Sequence, residues 1–189
     1  MVVIVALALG LALAIQAWIV KPYKIPSGSM EPTLDVGQRV LVNRFIYHFD
    51  EPQIGDIVVF HPPAGAETAA ACGVAVPDDE PCPRPTPEES SQNFIKRIVA
   101  VGGDTLSIKG GHPVVDGVEQ TDEPYIEPCG SAAVCNLPKA IKIPKGYFFM
   151  MGDNRGASDD SRYWGPVPKS WIVGEAFFTY WPPDRIGPL

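Results

Sequence analysis

Residues 94–109 read FIKRIVAVGGDTLSIK, two short apolar runs on either side of a Gly-Gly-Asp turn. Such runs predict β-strands over 94–101 and 105–109, because glycine and aspartate interrupt regular structure between them. Further strand-like runs lie at 38–47, 54–60, 141–151 and 171–181, and Asp116-Gly117 predicts a hairpin. Short strands joined by turns predict a mostly β domain with curled sheets.

The composition supports the same fold class. The chain has 189 residues, of which 46% are apolar, so one domain can bury a core. Its 21 prolines and 18 glycines are many for a helical protein and typical of a loop-rich β protein. The net charge is -7 and no block of Lys and Arg stands out, which argues against nucleic acid as a partner.

The first twenty residues, MVVIVALALGLALAIQAWIV, contain no charge, and a helix needs about 20 apolar residues to cross a bilayer. Trp18, Lys21 and Tyr23 surround the end of this run in the pattern of an interfacial anchor. A cleaved secretory signal is the alternative, but the run lacks a basic n-region and a small-residue cleavage zone. A buried core helix is disfavoured by the lack of a polar face. We therefore predict a transmembrane anchor over 1–20 and a β-rich domain over 21–189.

Two features give opposite orientations for this anchor. Lys21 and Lys24 directly follow the run, and the positive-inside rule assigns that side to the cytoplasm. Four cysteines in two close pairs instead indicate disulfides formed in an oxidising compartment. Zinc is a weaker alternative, because neither pair has C-x-x-C spacing and no histidine is near. We favour an extracytoplasmic domain with two disulfides, Cys72–Cys82 and, more surely, Cys129–Cys135.

Several stretches are predicted to be irregular. Residues 22–34 show turn chemistry, residues 122–139 surround the second cysteine pair, and residues 152–166 form a polar loop. Residues 61–92 hold seven prolines, six acidic residues and a single arginine. We expect this segment to be an exposed, mobile insertion with no core of its own.

Ser29 is a candidate nucleophile. It lies in a Ser-Gly-Ser-Met turn between Pro26 and Pro32, which stiffen the backbone on both sides. A serine on a rigid turn is already oriented for attack, although a serine beside glycine is by itself most often structural. To act at neutral pH the hydroxyl needs a base. The three histidines lack a partner pattern and are expected at the surface: His48, His61 and His112.

Lys96 is the other candidate base. Period-2 alternation places Phe94, Lys96 and Ile98 on one face of the predicted strand and Arg97 on the other. If that first face is buried, desolvation disfavours the ammonium and lowers its pKa, and a neutral amine near pH 7 needs a shift of about 3 units. Periodicity alone favours the alternative, a lysine that extends to solvent at a sheet edge.

The loop at 152–165 concentrates acidic, basic and hydroxyl side chains. A catalytic carboxylate cluster and a calcium site are two interpretations, but the spacing lacks the order of an EF-hand. Arginines interleaved with acids favour the third, a buried network of ion pairs that shapes a site.

Three blocks together resemble type I signal peptidases: SGSMEPTL at 27–34, FIKRIVAVGGD at 94–104, and GDNR followed by SDDSRYWG at 152–165. The resemblance implies curled antiparallel sheets of the signal-peptidase type. It implies a membrane-bound serine endopeptidase that removes N-terminal signal peptides from secreted preproteins. Neither a metal nor a cofactor is implied, and the expected partners are signal peptides and the lipid bilayer.

The resemblance also implies residue roles. Ser29 would be the acylating nucleophile, Lys96 the neutral general base, and Ser158 the residue that orients the lysine. The Ser27 hydroxyl and the Ser29 N–H would form the oxyanion hole. Structural ion pairs would involve Arg97, Asp153, Asp160 and Arg162. Shallow pockets for small substrate side chains would be lined by Tyr23, Ile25, Pro26, Met30, Leu34, Val40, Phe94 and Ile95, and the substrate would add as a β-strand.

The chain departs from the family pattern in two places. Gly156-Ala157 stands where the family often has Asp-Asn, so the loop is expected to be less rigid than in the family. The second departure is the N-terminal region, where one membrane span is expected rather than two. A specialised processing peptidase and a non-catalytic, membrane-anchored binding protein are the alternatives. A repressor autoprotease is disfavoured, because the anchor replaces any DNA-binding helices. The expected location is the cell membrane, and the oligomeric state is left open.

Overall fold

The computed structural model describes residues 1, 3–5, 7, 10, 19–66 and 72–189. The anchor predicted over 1–20 therefore lies mostly outside the described residues. Among the residues that are described, no helix has the length and apolar character needed to cross a membrane.

The regular structure of residues 19–66 and 72–189 is almost entirely β, with one short α-helix, α1 at Ser161–Trp164, and several single 3₁₀ turns. The strands are β1 Val20–Lys24, β2 Arg39–Asn43, β3 Ile57–Phe60, β4 Phe94–Val101, β5 Thr105–Lys109, β6 His112–Val115, β7 Val118–Glu119, β8 Leu137–Lys142, β9 Tyr147–Met151, β10 Val167–Pro168, β11 Ile172–Trp181 and β12 Gly187–Pro188. The 3₁₀ turns are Gly28–Met30, Ile46–His48, Ala133–Cys135, Lys169–Trp171 and Pro183–Arg185.

The strands form two antiparallel sheets. The large sheet has the order β1-β2-β11-β3-β4-β9-β10, with β12 paired to β11, and the small sheet has the order β7-β6-β5-β8. Register shifts interrupt β11 and β4, and such bulges bend and twist a strand. The prediction of a mostly β fold with curled antiparallel sheets is confirmed.

Most predicted strands are present, although β2 and β3 are shorter than the runs predicted at 38–47 and 54–60, and two further differences concern β1 and β8–β9. Residues 22–24, predicted as turn, belong to β1, which pairs with β2 from Val20↔Asn43 to Lys24↔Arg39. A strand tolerates Pro22 here because β1 is the edge of its sheet and its outer N–H groups need no partner. The run predicted at 141–151 is divided into β8 and β9 by a turn in which Gly146 has φ 78.

Strand β4 runs through all three apolar clusters of the core. Its side chains enter three apolar clusters: Ile95 packs with residues of β2, Ile98 packs beside Trp164, and Val99 packs against the small sheet. A side chain on β4 is therefore surrounded by protein, and Lys96 is only 4% exposed.

The segment 61–92 is held to the domain in its described part, contrary to the expectation of a mobile insertion. Cys72 and Cys82 form a disulfide, and Cys82 is buried with its N–H bonded to the carbonyl of Arg162. Ala66 is also buried and joins the cluster around Trp164. The buried Ala66 and the buried Cys82 therefore hold the segment to the domain, and composition does not reveal these contacts.

Candidate active site

Ser29 lies in the 3₁₀ turn that follows β1. The turn is anchored by Met30, whose side chain is fully buried in the core. Two hydrogen bonds from Asn154 hold it from the other side: its N–H donates to the Ser29 carbonyl at 3.2 Å and its Nδ2 donates to the Gly28 carbonyl at 3.2 Å. The loop after β9 therefore fixes the direction of the Ser29 side chain.

Lys96 projects from the middle of β4 toward this turn. Its Nζ lies 2.6 Å from Ser29 Oγ. Burial lowers the pKa of Lys96 from 10.5 to about 8, an effect that nearby Asp160 and Asp159 oppose and Arg162 reinforces. A substantial fraction of this lysine is thus neutral at mildly alkaline pH and can accept the Ser29 proton. The three histidines make no hydrogen bond to Ser29 within the described chain.

Ser158 and Gly152 complete the crowded side of the site. A Cβ on Gly152 would lie 2.2 Å from Ser158 Oγ and 2.3 Å from the Ser29 carbonyl oxygen, so only glycine fits there. Ser158 Oγ is buried and has no hydrogen-bond partner among the described residues. The structure thus brings Ser158 next to the dyad, but its expected bond to Lys96 is not formed.

Ser27 lies at the open side. It is exposed, and its hydroxyl donates to Ser29 Oγ across 3.4 Å. A hydroxyl at this distance can turn toward an oxygen that develops charge beside Ser29.

All four residues expected in structural ion pairs make one. Arg97 binds Asp153 in a bidentate manner, at 2.9 Å and 2.7 Å, and Asp153 also accepts from Thr33 Oγ1. Asp160 and Arg162 are paired and fully buried at their side chains. Burial alone would raise the pKa of Asp160, but Arg162 and the Gly152 N–H hold it below its usual value.

A third buried pair was not predicted. Arg155 is fully buried, donates to the Gly152 carbonyl at 3.2 Å, and binds both carboxylate oxygens of Glu123. Glu123 also contacts His112 Nδ1 at 2.9 Å. Glu123 comes from the irregular stretch at 122–139, so its partner could not be read from spacing. The available signal was Arg155 itself, although the nearby Asp153, Asp159 and Asp160 are also possible partners and the spacing does not show which carboxylate it binds.

An open cleft of about 490 Å³ exposes the dyad. An adjoining hollow of about 300 Å³ contains Tyr23 and Ile25. Both are lined by Pro26, Phe94 and Ile95, as the sequence predicted. Further residues of the main cleft were not predicted: Glu31, Gln92, Asn93, Asn154, Ala157 and Asp159.

Three residues predicted to line the substrate pockets do not reach the cleft. Met30, Leu34 and Val40 are fully buried and pack together in the core beneath it. They line neither the main cleft nor the adjoining hollow.

The arrangement is that of a covalent hydrolase. A hydroxyl in contact with a buried, partly neutral amine provides nucleophile and base, and backbone and hydroxyl donors beside it can bind an oxyanion. The open, partly apolar cleft can hold an extended peptide.

Comparison with known proteins agrees with this chemistry. The chain matches the family model described as signal peptidase, peptidase S26, over residues 1–181. A probable signal peptidase I-1 from Synechocystis sp. is 40% identical over 96% of this chain and 82% of that protein. A signal peptidase I from Leptolyngbya laminosa is 35% identical over 98% of this chain and 80% of that protein. A probable thylakoidal processing peptidase 2 from Arabidopsis thaliana is 34% identical over 96% of this chain, which spans 44% of that protein.

The chain therefore belongs to the signal peptidase family, peptidase S26, and is a serine peptidase. The resemblance inferred from the three sequence blocks is confirmed.

Proposed function

We propose that this chain is a membrane-bound endopeptidase that removes N-terminal signal peptides from secreted preproteins. The observation that carries the proposal is the 2.6 Å contact between Ser29 Oγ and the Nζ of a lysine that is 4% exposed. The names of the relatives, signal peptidase I among them, support the substrate class.

The catalytic cycle follows from the positions of these groups. Neutral Lys96 accepts the Ser29 proton as Ser29 Oγ attacks the scissile carbonyl. The Ser29 N–H and the Ser27 hydroxyl bind the resulting oxyanion. The protonated lysine gives its proton to the leaving amine, which releases the mature protein and leaves the signal peptide as an ester on Ser29. Lys96 then deprotonates a water that attacks this ester, and it returns the proton to Ser29 Oγ as the signal peptide leaves. In this proposal Ser158 orients the amine once its hydroxyl, which has no partner in the part of the chain that the structure describes, turns toward it.

We infer a single-pass anchor over 1–20 with the catalytic domain on the extracytoplasmic side. The uncharged apolar run supports the anchor, and two disulfides support an oxidising location. An anchor confines enzyme and membrane-embedded signal peptide to one surface and raises their effective concentration.

A specialised processing peptidase is the second candidate, and the similarity to thylakoidal processing peptidases favours it. It would use the same dyad and differ in the precursors it accepts. A non-catalytic binding protein is less well supported. A site that has lost its activity need not keep its catalytic groups, whereas here Lys96 contacts Ser29, and both Ser29 and Ser158 lie next to Gly152.

The proposal is tested by cleavage of a purified secretory precursor. Ser29→Ala and Lys96→Ala should each reduce the rate by at least about a thousandfold while the circular dichroism spectrum is unchanged. Lys109→Ala is the matched control and should cleave normally, because Lys109 is exposed, pairs with Glu119 on the small sheet and does not line the cleft. Near-normal cleavage by Lys96→Ala would show that the dyad is wrong.

A further inference from the structure

Residues 123–127 lie along the loop that follows β9, and we call this segment the brace. The Glu127 N–H donates to the Asp153 carbonyl at 2.9 Å. At the other end of the brace, the Glu123 carboxylate holds the guanidinium of Arg155 through both of its oxygens. The brace is therefore attached to the loop at two points, one through the backbone and one through a buried ion pair.

Tyr125 lies in the middle of the brace and contacts two ion pairs. Its hydroxyl donates to Glu123 at 3.2 Å, which is the partner of Arg155. Its ring centre lies 4.0 Å from the guanidinium carbon of Arg97. A guanidinium stacked on an aromatic face is held in one orientation, and a bidentate bond to a carboxylate requires such an orientation. Arg97 makes a bidentate bond of this kind to Asp153.

The Tyr125 hydroxyl stays protonated at neutral and mildly alkaline pH. Burial raises the pKa of this phenol above its usual value of 10.0, and the charge of Glu123 adds to the effect. Asp153 acts in the same direction, whereas Arg97 and Arg155 oppose it. The hydroxyl is thus a constant donor to Glu123, and a change of activity over this pH range reports another group.

The Arg97–Asp153 pair lies next to the base. Lys96 precedes Arg97 in β4, and burial is the main cause of its lowered pKa. The other charges that act on this amine are those of Asp160, Asp159, Arg162 and Asp153. A guanidinium held on Asp153 offsets the charge of that carboxylate, so a contact that fixes Arg97 favours the neutral amine.

We propose that Tyr125 is a positioning residue of the peptidase. Its ring keeps Arg97 on Asp153, and its hydroxyl orients the carboxylate that holds Arg155. Tyr125 lines neither the cleft nor the adjoining hollow, so it acts through these other residues. This inference rests on the Ser/Lys dyad of the proposed function and adds to it a residue outside the three sequence blocks.

Variants without the aromatic ring test the proposal. Tyr125→Leu and Tyr125→Met both remove the aromatic face, so the result does not depend on the folding of one of them. Each should lower kcat for a short peptide several-fold at neutral pH with little change in KM, because less of the lysine is neutral. The apparent pKa of the kcat/KM profile should shift upward, so that activity returns at higher pH. Tyr125→Phe keeps the ring and should keep the apparent pKa.

Tyr147→Leu is the matched control. Tyr147 is also half-buried, but it packs against the cluster of the small sheet at the start of β9, whereas Asp153 follows the end of that strand. This variant should lose stability and keep the apparent pKa. An equal shift in both leucine variants would overturn the proposal. So would a loss of activity in Tyr125→Leu with an unchanged apparent pKa, because Tyr125 would then be purely structural.

A titration without substrate separates this inference from the proposed function. The full-length chain is isotope-labelled at the lysine Cε and studied by NMR in detergent micelles, where the resonance missing from Lys96→Met identifies the base. Its pKa should be higher in Tyr125→Leu than in the unmodified protein and in Tyr147→Leu. Identical titration curves would overturn the role of Tyr125. Lack of peptide cleavage by the unmodified protein would refute the proposed function and leave the titration unaffected.

Discussion

Lys96 can serve as a base because β4 carries it into the interior of the domain. Three apolar clusters meet along this strand, and they exclude the water that would stabilise the ammonium. The carboxylates of Asp160 and Asp153 act in the opposite direction, but each is engaged by an arginine, Arg162 or Arg97. The two ion pairs thus offset part of the negative charge near the lysine, while Asp159 in the cleft still opposes the effect of burial.

The pH dependence of cleavage should report this environment. Only neutral Lys96 can accept the Ser29 proton, and its pKa is lowered to about 8. For a short peptide substrate, kcat/KM should therefore increase with pH through an apparent pKa near 8 and level off above it. A value of kcat/KM that stays constant from about pH 6 to about pH 9 would contradict a lysine base.

The buried ion pair of Glu123 and Arg155 should matter far more for stability than an exposed pair. Glu123→Gln leaves a fully buried guanidinium without its counter-charge and should lower the free energy of unfolding by about 3–5 kcal/mol. Glu119→Gln, which removes an exposed partner of Lys109, should cost less than about 1 kcal/mol. Urea denaturation followed by fluorescence gives both values, and equal losses would show that burial is not the cause.

Among single residues, the sequence predicted the nucleophile and the base but not the buried ion pair and core residues that surround them. Ser29 and Lys96 lie in motif blocks, and the family resemblance identified the lysine as the base. Alternation along 94–98 by itself favoured a lysine that extends to solvent, which is wrong because Lys96 is 4% exposed. Glu123 and Arg155 are 32 positions apart and meet only because an irregular segment folds back on the loop. The family resemblance assigned Leu34 and Val40 to the substrate pocket, but both are fully buried, because a sequence block does not separate a pocket wall from the core beneath it.

Among the elements, the loop at 152–158 joins the two halves of the site. Asn154 binds the turn of Ser29, Asp153 binds Arg97 next to the lysine on β4, and Gly152 packs against Ser29. A shift of this loop would therefore move nucleophile and base relative to each other.

Gly152→Ala tests that role. Its methyl group would overlap the Ser29 carbonyl oxygen at 2.3 Å, and displacement of the nucleophile by about 1 Å can cost on the order of a hundredfold in rate. Gly187→Ala is the control, because nothing lies within 4 Å of a Cβ there. Both variants should fold, and peptide cleavage compares them. Wild-type rates for Gly152→Ala would mean that the loop does not position Ser29.

Strand prediction succeeded where apolar runs ended at turn residues, as at 94–101 and 105–109. It failed at β1, because Pro22 argues against a strand unless the strand is known to be an edge. It failed in the opposite sense at 61–92, where the disulfide was predicted but the packing of Ala66 and the bond from the Cys82 N–H to the Arg162 carbonyl were not. Both errors concern long-range contacts, which local patterns do not contain.

For the whole molecule, the decisive feature is the place of β11. This strand lies between β2 and β3 in the large sheet. Strand β2 pairs with β1, which leads to Ser29, and β3 pairs with β4, which carries Lys96. The last long strand of the chain therefore joins the nucleophile side of the sheet to the base side.

Truncation should show this dependence. A chain that ends at residue 171 lacks β11 and should give no folded domain and no peptide cleavage. A chain that ends at residue 185 lacks only β12, which pairs with β11 off the main strand order, and should remain folded and active. Circular dichroism and a peptide assay distinguish the two, and activity of the shorter chain would refute the bridging role of β11.

The central position of β11 also determines when the enzyme can first act during its own synthesis. A ribosome makes residues 1–171 before it makes β11. Strand β11 must then leave the exit tunnel before it can pair with β2 and β3. Throughout that interval, the strand that leads to Ser29 and the strand that carries Lys96 are not connected through the sheet. The growing chain is thus expected to stay inert toward neighbouring precursors until β11 has paired with both β2 and β3.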